Sequence, residues 1–503
     1  MEKNRVVNLV NFVRGCEPRP EAAGLDLYLP VVNQLAVDKQ YGLPHTFLLQ
    51  YDAMLREDFR TLFQKENARP DCEVGVWLEL CRPLTEKVGI PWRGRPGYDW
   101  DWYVNPGFLM AYTPAQREQL IDELFGRFRE LFGSYPPVAG CWLLDAHSMQ
   151  YMQQRYGVKG FCCCREQYAV DAYTLWGGYY SGGYYPARRN GLCPAQTPAE
   201  QIDAPVFRML GIDPLYGYDE KKYPHPPVGC CTLEPVWTFE EPVVDWYLQA
   251  YFDNPCVGFA QLTTGQENSF GWPMMAQGYR LQAERLAEAV QAGRLLVEHL
   301  DRTAERFRQA FATTPASALM ARTDWAGNGN QSYWYSSRNY RANVFLEGEQ
   351  LFFRDIFLFD DRYEERYLTE PCQEWSATYD NLPLVDNRLW SADGQECRLR
   401  FCRPVAAVEP QAQGEALCLQ LRFADGGSGS LRLTPEQILL QDCGDLQFTV
   451  GTPQAEIAAA SSEAELEAAR VKYSGKKGRL TAILRGMGAL CLDCDEVYHE
   501  LTE

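Results

Sequence analysis

From Val6 to His299, short apolar runs alternate with amphipathic stretches, the pattern of strands each followed by a helix in a parallel α/β fold. The runs predict strands at Val6–Arg14, Thr46–Asp52, Glu73–Leu80, Val138–Asp145, Val158–Cys164, Val206–Asp213 and Gly258–Glu267, with a short one at Leu295–His299. The helix signals are sharpest after Tyr112. Thr113-Pro114-Ala115-Gln116 supplies an N-cap, a proline at the first helical position and a capping-box glutamine. Leu120, Ile121, Leu124, Phe125, Phe128, Leu131 and Phe132 then recur on one face, and Gly133 ends the helix. Arg56–Lys65, Ser148–Tyr156 and Ala276–Ala292 fit further helices.

Two long insertions break the alternation. Pro91–Gly107 carries Trp92, Tyr98, Trp100, Trp102 and Tyr103; Tyr173–Gln201 carries Trp176, Tyr179, Tyr180, Tyr184 and Arg188. Loops of this length inside a compact domain usually serve function. After Pro315 the text turns to period-two runs between Gly, Asp and Asn turns: Ser332–Tyr335, Leu351–Phe359, Gln395–Cys402, Ala416–Phe423 and Leu446–Val450. One helix, Ser462–Arg470, follows near the end. The expected architecture is α/β: a distorted (β/α)7-type barrel over residues 1–315, then a β-sandwich-like domain over 316–503.

Composition narrows the function classes. A net charge of −19 opposes binding to a phosphate backbone, so no nucleic-acid partner is expected. No stretch nears the ~18 apolar residues of a membrane span, and Val6–Val10 is too short for a secretory core, which predicts a cytoplasmic protein without a membrane partner. The 18 cysteines, including Cys162-Cys163-Cys164 and Cys230-Cys231, fall in strand-like text and read as reduced packing residues. The five histidines (45, 147, 225, 299 and 499) show no metal-ligand spacing, so neither a metal centre nor a cofactor is expected.

The strand ends carry the chemistry. Glu17, Asp52, Glu79, Asp145, Asp213 and Glu267 fall at the carboxyl ends, where a barrel's loops converge on its active site. Turn preference for Asp accounts for about half of such acids. Asp145 ends the buried run Cys141-Trp142-Leu-Leu-Asp145 and also stands where a helix N-cap would. Glu267 lies in Gly265-Gln266-Glu267-Asn268-Ser-Phe-Gly-Trp272, whose polar groups suit sugar hydroxyls or a self-held turn. Glycosidic hydrolysis needs two carboxyls in different roles, and Asp145 with Glu267 form the first pair. Glu17, Asp52, Glu79, Trp142, Trp176, Tyr179, Arg188, Gln266, Asn268 and Trp272 are the expected substrate contacts. Arg14 is placed to neutralise neighbouring acids.

The second strand Leu43-Pro-His-Thr-Phe-Leu-Leu-Gln-Tyr-Asp52, and Trp142-Leu-Leu-Asp145 leading into Tyr156-Gly-Val-Lys-Gly160, resemble the polysaccharide deacetylase and glycoside hydrolase superfamily, with its seven-stranded (β/α) barrel. The segment around Asp145 is similar to the α-mannosidase strand bearing the nucleophilic aspartate, and the resemblance implies that role here. The zinc motifs of that superfamily, an Asp pair with HxxxH or a HxHxD-like run, are absent from the sequence. The chain also resembles large bacterial proteins with a barrel followed by a β-domain. The leading expectation is a metal-independent glycosidase acting on a carbohydrate substrate. Two alternatives stand beside it: a metal-assisted, deacetylase-like hydrolase using Glu17, Asp52 and Asp145, or a non-catalytic carbohydrate-binding protein.

Overall fold

The computed structural model describes residues 4–170, 172–217, 232–386 and 398–449. The chain divides into two compact units. The first comprises Met1–Asn254, Phe259–Pro315 and Asp360–Asp380; the second comprises Pro255–Gly258, Ala316–Phe359 and the described part of Asn381–Glu503.

The first unit is a barrel of parallel strands: β1 (Arg5–Val13), β2 (His45–Leu49), β3 (Cys72–Trp77), β4 (Val138–Gly140), β5 (Gly160–Cys164), β6 (Val206–Met209) and β7 (Ala260–Thr264). The order around the sheet is β7-β1-β2-β3-β4-β5-β6. A short strand Gly183–Tyr184 adds antiparallel to β6, and Gly211 N donates to Thr263 O at 2.8 Å, so the ring is nearly closed. The strand β8 (Leu296–Val297) pairs with the start of β1. All eight expected strands are present; Gly160–Cys164 ends where expected and the other seven end before their predicted limits, with Asp52, Asp145, Asp213 and Glu267 in the turns beyond.

These strands are buried on both faces, which explains their continuous apolar text. Their interior packs Val6, Val10, Phe12, Leu48, Trp77, Val138, Cys162, Phe207 and Met209. Phe12 and Trp77 stack at 4.0 Å, with Trp142 edge-on to both. Cys162, Cys163 and Cys164 are free and buried, serving as small hydrophobes. The helix at Pro114–Phe132 carries the expected capping box and ends on Gly133 in the left-handed region. Among the described residues no helix is long and apolar enough to cross a membrane.

The second unit is antiparallel. Ser317–Ala321, Gln331–Ser336, Tyr340–Glu347, Gln350–Leu358, Arg398–Phe401 and Leu446–Thr449 form one sheet in that order, with Leu382–Asp386 also on Gln350–Leu358. Val405–Gln413, Ala416–Phe423, Ser428–Leu433 and Ile438–Gln441 form a four-stranded meander. Tyr333, Val344 and Phe353 of the first sheet share one core with Val408, Leu419 and Leu431 of the second, the two-layer packing of a sandwich. The expected helix Ser462–Arg470 lies outside the described residues.

Candidate active site

An arginine organises the carboxyl end of the barrel. Arg14 follows β1 directly, so its side chain arises where the loops converge. Its Nε and Nη2 donate to the two oxygens of Glu79 at 2.8 and 3.0 Å, a bidentate pair, and its Nη1 lies 2.7 Å from Oε1 of Glu267 and 2.7 Å from Ser269 Oγ. The guanidinium also sits 4.1 Å from the Trp100 ring centroid. Burial alone would depress the basicity of Arg14, but Glu267 and Glu79 outweigh it, and the group stays firmly charged.

The two carboxylates come from opposite neighbours of β1. Glu79 lies just beyond β3, is 2% exposed, and also accepts from Trp77 Nε1 at 2.8 Å. Glu267 lies just beyond β7 and is 5% exposed. Its turn is set by Gly265 at φ +136, where an added Cβ would stand 2.0 Å from Val10 O. Oε1 of Glu267 also accepts from Ser269 Oγ at 2.6 Å, whereas Oε2 has no hydrogen-bond partner among the described residues and is not sealed in the interior. One guanidinium thus bridges the two carboxylates.

Two further acids flank Arg14. Asp52 accepts from the backbone N–H groups of Gly15 and Cys16, both at 2.9 Å. Burial raises its pKa, and those N–H groups only partly offset the rise. Glu17 is clasped by Arg19 through Nε and Nη2, both at 2.8 Å, and by the Arg19 backbone N–H at 3.0 Å. Trp100 Nε1 donates to Cys16 O at 3.0 Å, tying the first aromatic insertion to this floor. Glu17, Asp52, Glu79 and Glu267 are therefore gathered around the segment from Arg14 to Arg19.

Asp145 takes a different set of partners. It caps the helix Ala146–Tyr156, accepting from Ser148 N at 2.9 Å and Ser148 Oγ at 2.7 Å, and it pairs with the fully buried Arg117 at 2.9 Å. Arg117 is spent on the scaffold as well, donating to Tyr112 O, Tyr367 O and Leu368 O. Glu365 completes this cluster, accepting from Ala146 N at 2.9 Å and Gly191 N at 2.8 Å. Burial first, and the neighbouring Asp145 second, push the Glu365 carboxyl up to about 8. No hydrogen bond or ion pair among the described residues joins Asp145 to Glu267. The helix start and Arg117 engage both oxygens of Asp145, whereas one oxygen of Glu267 is held by Arg14 and Ser269.

Several expected contacts are also engaged internally. Trp176 and Tyr179 are 1% and 0% exposed rather than lining a wall. Gly177 and Gly178 turn their backbone N–H groups onto buried Glu166, which pairs with Arg208, and Tyr179 OH donates to Pro315 O. Arg188 donates to Gln150 Oε1 and Ala199 O, holding its hairpin to the barrel. Gln266 is buried, accepting from Val236 N and donating to Glu234. Asn268 bonds both the N–H and the carbonyl of Arg14, fixing the arginine's backbone. Asp213 holds a turn through Leu215 N and Tyr216 N. Trp142 packs on Phe12 and Trp77 under the floor, and half-buried Trp272 opens the helix Trp272–Gln291. Among the described residues, no three His, Cys, Asp or Glu side chains converge as a cation site. Arg14 itself supplies the positive charge between the acids.

The fold is shared with a known structure. A protein from Parabacteroides distasonis described as a glycoside hydrolase/deacetylase superposes with a TM-score of 0.56 at 14% identity, covering 75% of this chain and 90% of that one. This likeness shows the fold. A protein from Mycobacterium smegmatis described as a polysaccharide deacetylase gives a TM-score of 0.36 at 14% identity over 61% of this chain and 92% of that one. Residues 461–492, outside the described part, match the family model of the class II aminoacyl tRNA synthetase N-terminal domain. The phenylalanine–tRNA ligase alpha subunit of Moorella thermoacetica is 67% identical over 36 residues, 7% of this chain and 11% of that protein. The chain thus spans about a tenth of the length of the curated relatives it matches.

Proposed function

We propose that this protein is a carbohydrate-active hydrolase of the glycosidase type, with its reaction centred on the Arg14 floor. The observation that carries this reading is Glu267: one oxygen fixed by Arg14 and Ser269, the other left without a partner among the described residues, while Asp52, bonded to Gly15 and Cys16 of the same Arg14–Arg19 segment, has a raised pKa. Glycosidic cleavage needs that division of labour. Asp52, kept protonated to higher pH by burial, donates its proton to the leaving oxygen as the C–O bond breaks. Glu267, through Oε2, either attacks the anomeric carbon or removes a proton from the attacking water. Glu79 and Arg14 hold Glu267 in register, and Glu17 braces Arg19 over the same floor. The fold shared with the Parabacteroides protein, which is described by this class of activity, is consistent with the reading.

The test is leaving-group dependence on a panel of aryl glycosides. Asp52→Asn should lose at least about 100-fold in kcat with a poor leaving group and far less with dinitrophenol, which departs without a proton. Glu267→Gln should lose on both. Release of acetate from acetylated glycans, with no glycoside cleaved, would instead favour a deacetylase. Binding without turnover of any substrate would favour a carbohydrate-binding role.

A further inference from the structure

The segment Asp360–Asp380, which belongs to the barrel unit although the chain reaches it from the second, is held mainly by backbone contacts. Arg117 grips Tyr367 O and Leu368 O, Cys372 N donates to Met110 O, and Trp375 O accepts from Val104 N at 3.0 Å. Asn105 Nδ2 adds a bond to Gln373 O. The indole of Trp375 takes no part in these hydrogen bonds and remains 50% exposed. A large aromatic left half in water, on a segment anchored by other means, is available to a ligand.

Its neighbours give that ligand a direction. Trp375 stands edge-on to Tyr103 at 4.9 Å, Tyr103 stacks on Trp102 at 5.7 Å, and Trp102 meets Trp100 at 6.2 Å. Trp100, 2% exposed and with Arg14 on its ring, is buried and joins the row to the acidic floor without offering a face of its own. The row is stiffened from within: Arg95 contacts the Trp102 and Tyr103 rings at 4.1 and 4.8 Å while bound bidentately to buried Asp101. Pyranose C–H bonds carry the weak positive charge that an aromatic face attracts, and pre-set rings bind at low entropic cost. A single-stranded nucleic acid could use the same rings, but its phosphates would meet the acids of the floor and a chain of net charge −19.

We infer that the partly exposed rings of Trp102, Tyr103 and Trp375 form sugar subsites beside the floor, so that the ligand is an oligosaccharide rather than a monosaccharide or a small glycoside. The inference rests on reading the Arg14 floor as a sugar site. Its test uses the full chain, as wild type and as Glu267→Gln so that hydrolysis does not consume the ligand. Tryptophan fluorescence and calorimetric titrations would use β-1,4-linked glucose, xylose and N-acetylglucosamine oligomers of two to six residues.

The expected result is affinity rising at least about tenfold with length in one series, with Trp375→Ala removing about that gain from the longest oligomer and under twofold from the disaccharide. Tyr103→Phe, which keeps the ring, should retain the gain. Equal affinity at every length, an unchanged Trp375→Ala, or no binding by any oligomer overturns the inference. Length-dependent binding with no turnover by the wild type would leave the subsites standing and refute the hydrolase reading, so the two fail separately.

Discussion

Replacing Arg14 with methionine removes the one cation shared by Glu79 and Glu267 while roughly preserving the stem's volume. The magnitude follows from the contacts: a bidentate pair at 2.8 and 3.0 Å and a second ion pair at 2.7 Å, all between groups almost excluded from water. Breaking a buried pair from one side costs about 3–5 kcal/mol, since the remaining charge is left uncompensated. For a unit of this size, at about 2.1 cal/mol/K of unfolding entropy per residue, that corresponds to a fall in melting midpoint of roughly 4–7 °C. The assay is thermal unfolding of the full chain followed by near-ultraviolet circular dichroism, at pH 5 and at pH 8. Protonation relieves an orphaned carboxylate, so the variant's deficit should be larger at pH 8, and Arg14→Met with Glu79→Gln should recover part of it. A deficit under about 1 kcal/mol at pH 8, or one equal at both pH values, would refute the electrostatic account of the floor.

Other positions test other links. Glu73 is buried beneath the barrel, accepting from Thr46 Oγ1 at 2.8 Å and Leu300 N at 3.0 Å; burial first and Asp301 second push its carboxyl up to about 8. The folded state therefore holds a proton the unfolded chain has lost, so this contribution is full at acid pH and declines until pH passes about 8; in Glu73→Gln the urea midpoint should change less between pH 5 and pH 8.5 than in the wild type. Gly265→Ala forces a Cβ against Val10 O at a strained φ, and should cost more than about 3 kcal/mol in denaturant unfolding and displace Glu267. Thr113→Ala should lower stability by about 1 kcal/mol in the same measurement, by removing the cap of the helix Pro114–Phe132.

The barrel was legible because its signals are local. Buried parallel strands read as unbroken apolar runs, and the Thr113 box and Gly133 stop are properties of a few adjacent residues. The acids at the strand ends were legible as a group for the same reason. Their partnerships were not. Whether Asp145 works as a cap or a catalyst depends on Arg117, 28 residues away, and on Glu365, reached through the other unit. Trp176 and Tyr179 sit in text as aromatic as Trp102 and Tyr103, and only the fold turns the first two inward, over Glu166 and Pro315. Trp375 fell within text read as β-domain, where nothing local ties it to the barrel. The likeness of residues 461–492 to a synthetase domain rests on residue-by-residue identity, which a hydropathy pattern does not carry beyond a single helix.

Turnover by Glu267→Gln on a glycoside that the wild type accepts tests the central claim most directly. The change keeps side-chain size and the hydrogen bond from Ser269 while removing the carboxylate, so folding can be checked independently by circular dichroism. The expected result is a fall in kcat of at least about 1000-fold in a variant that circular dichroism shows to be folded at the assay temperature. Full turnover by the folded variant would contradict it and move the reaction away from the Arg14 floor.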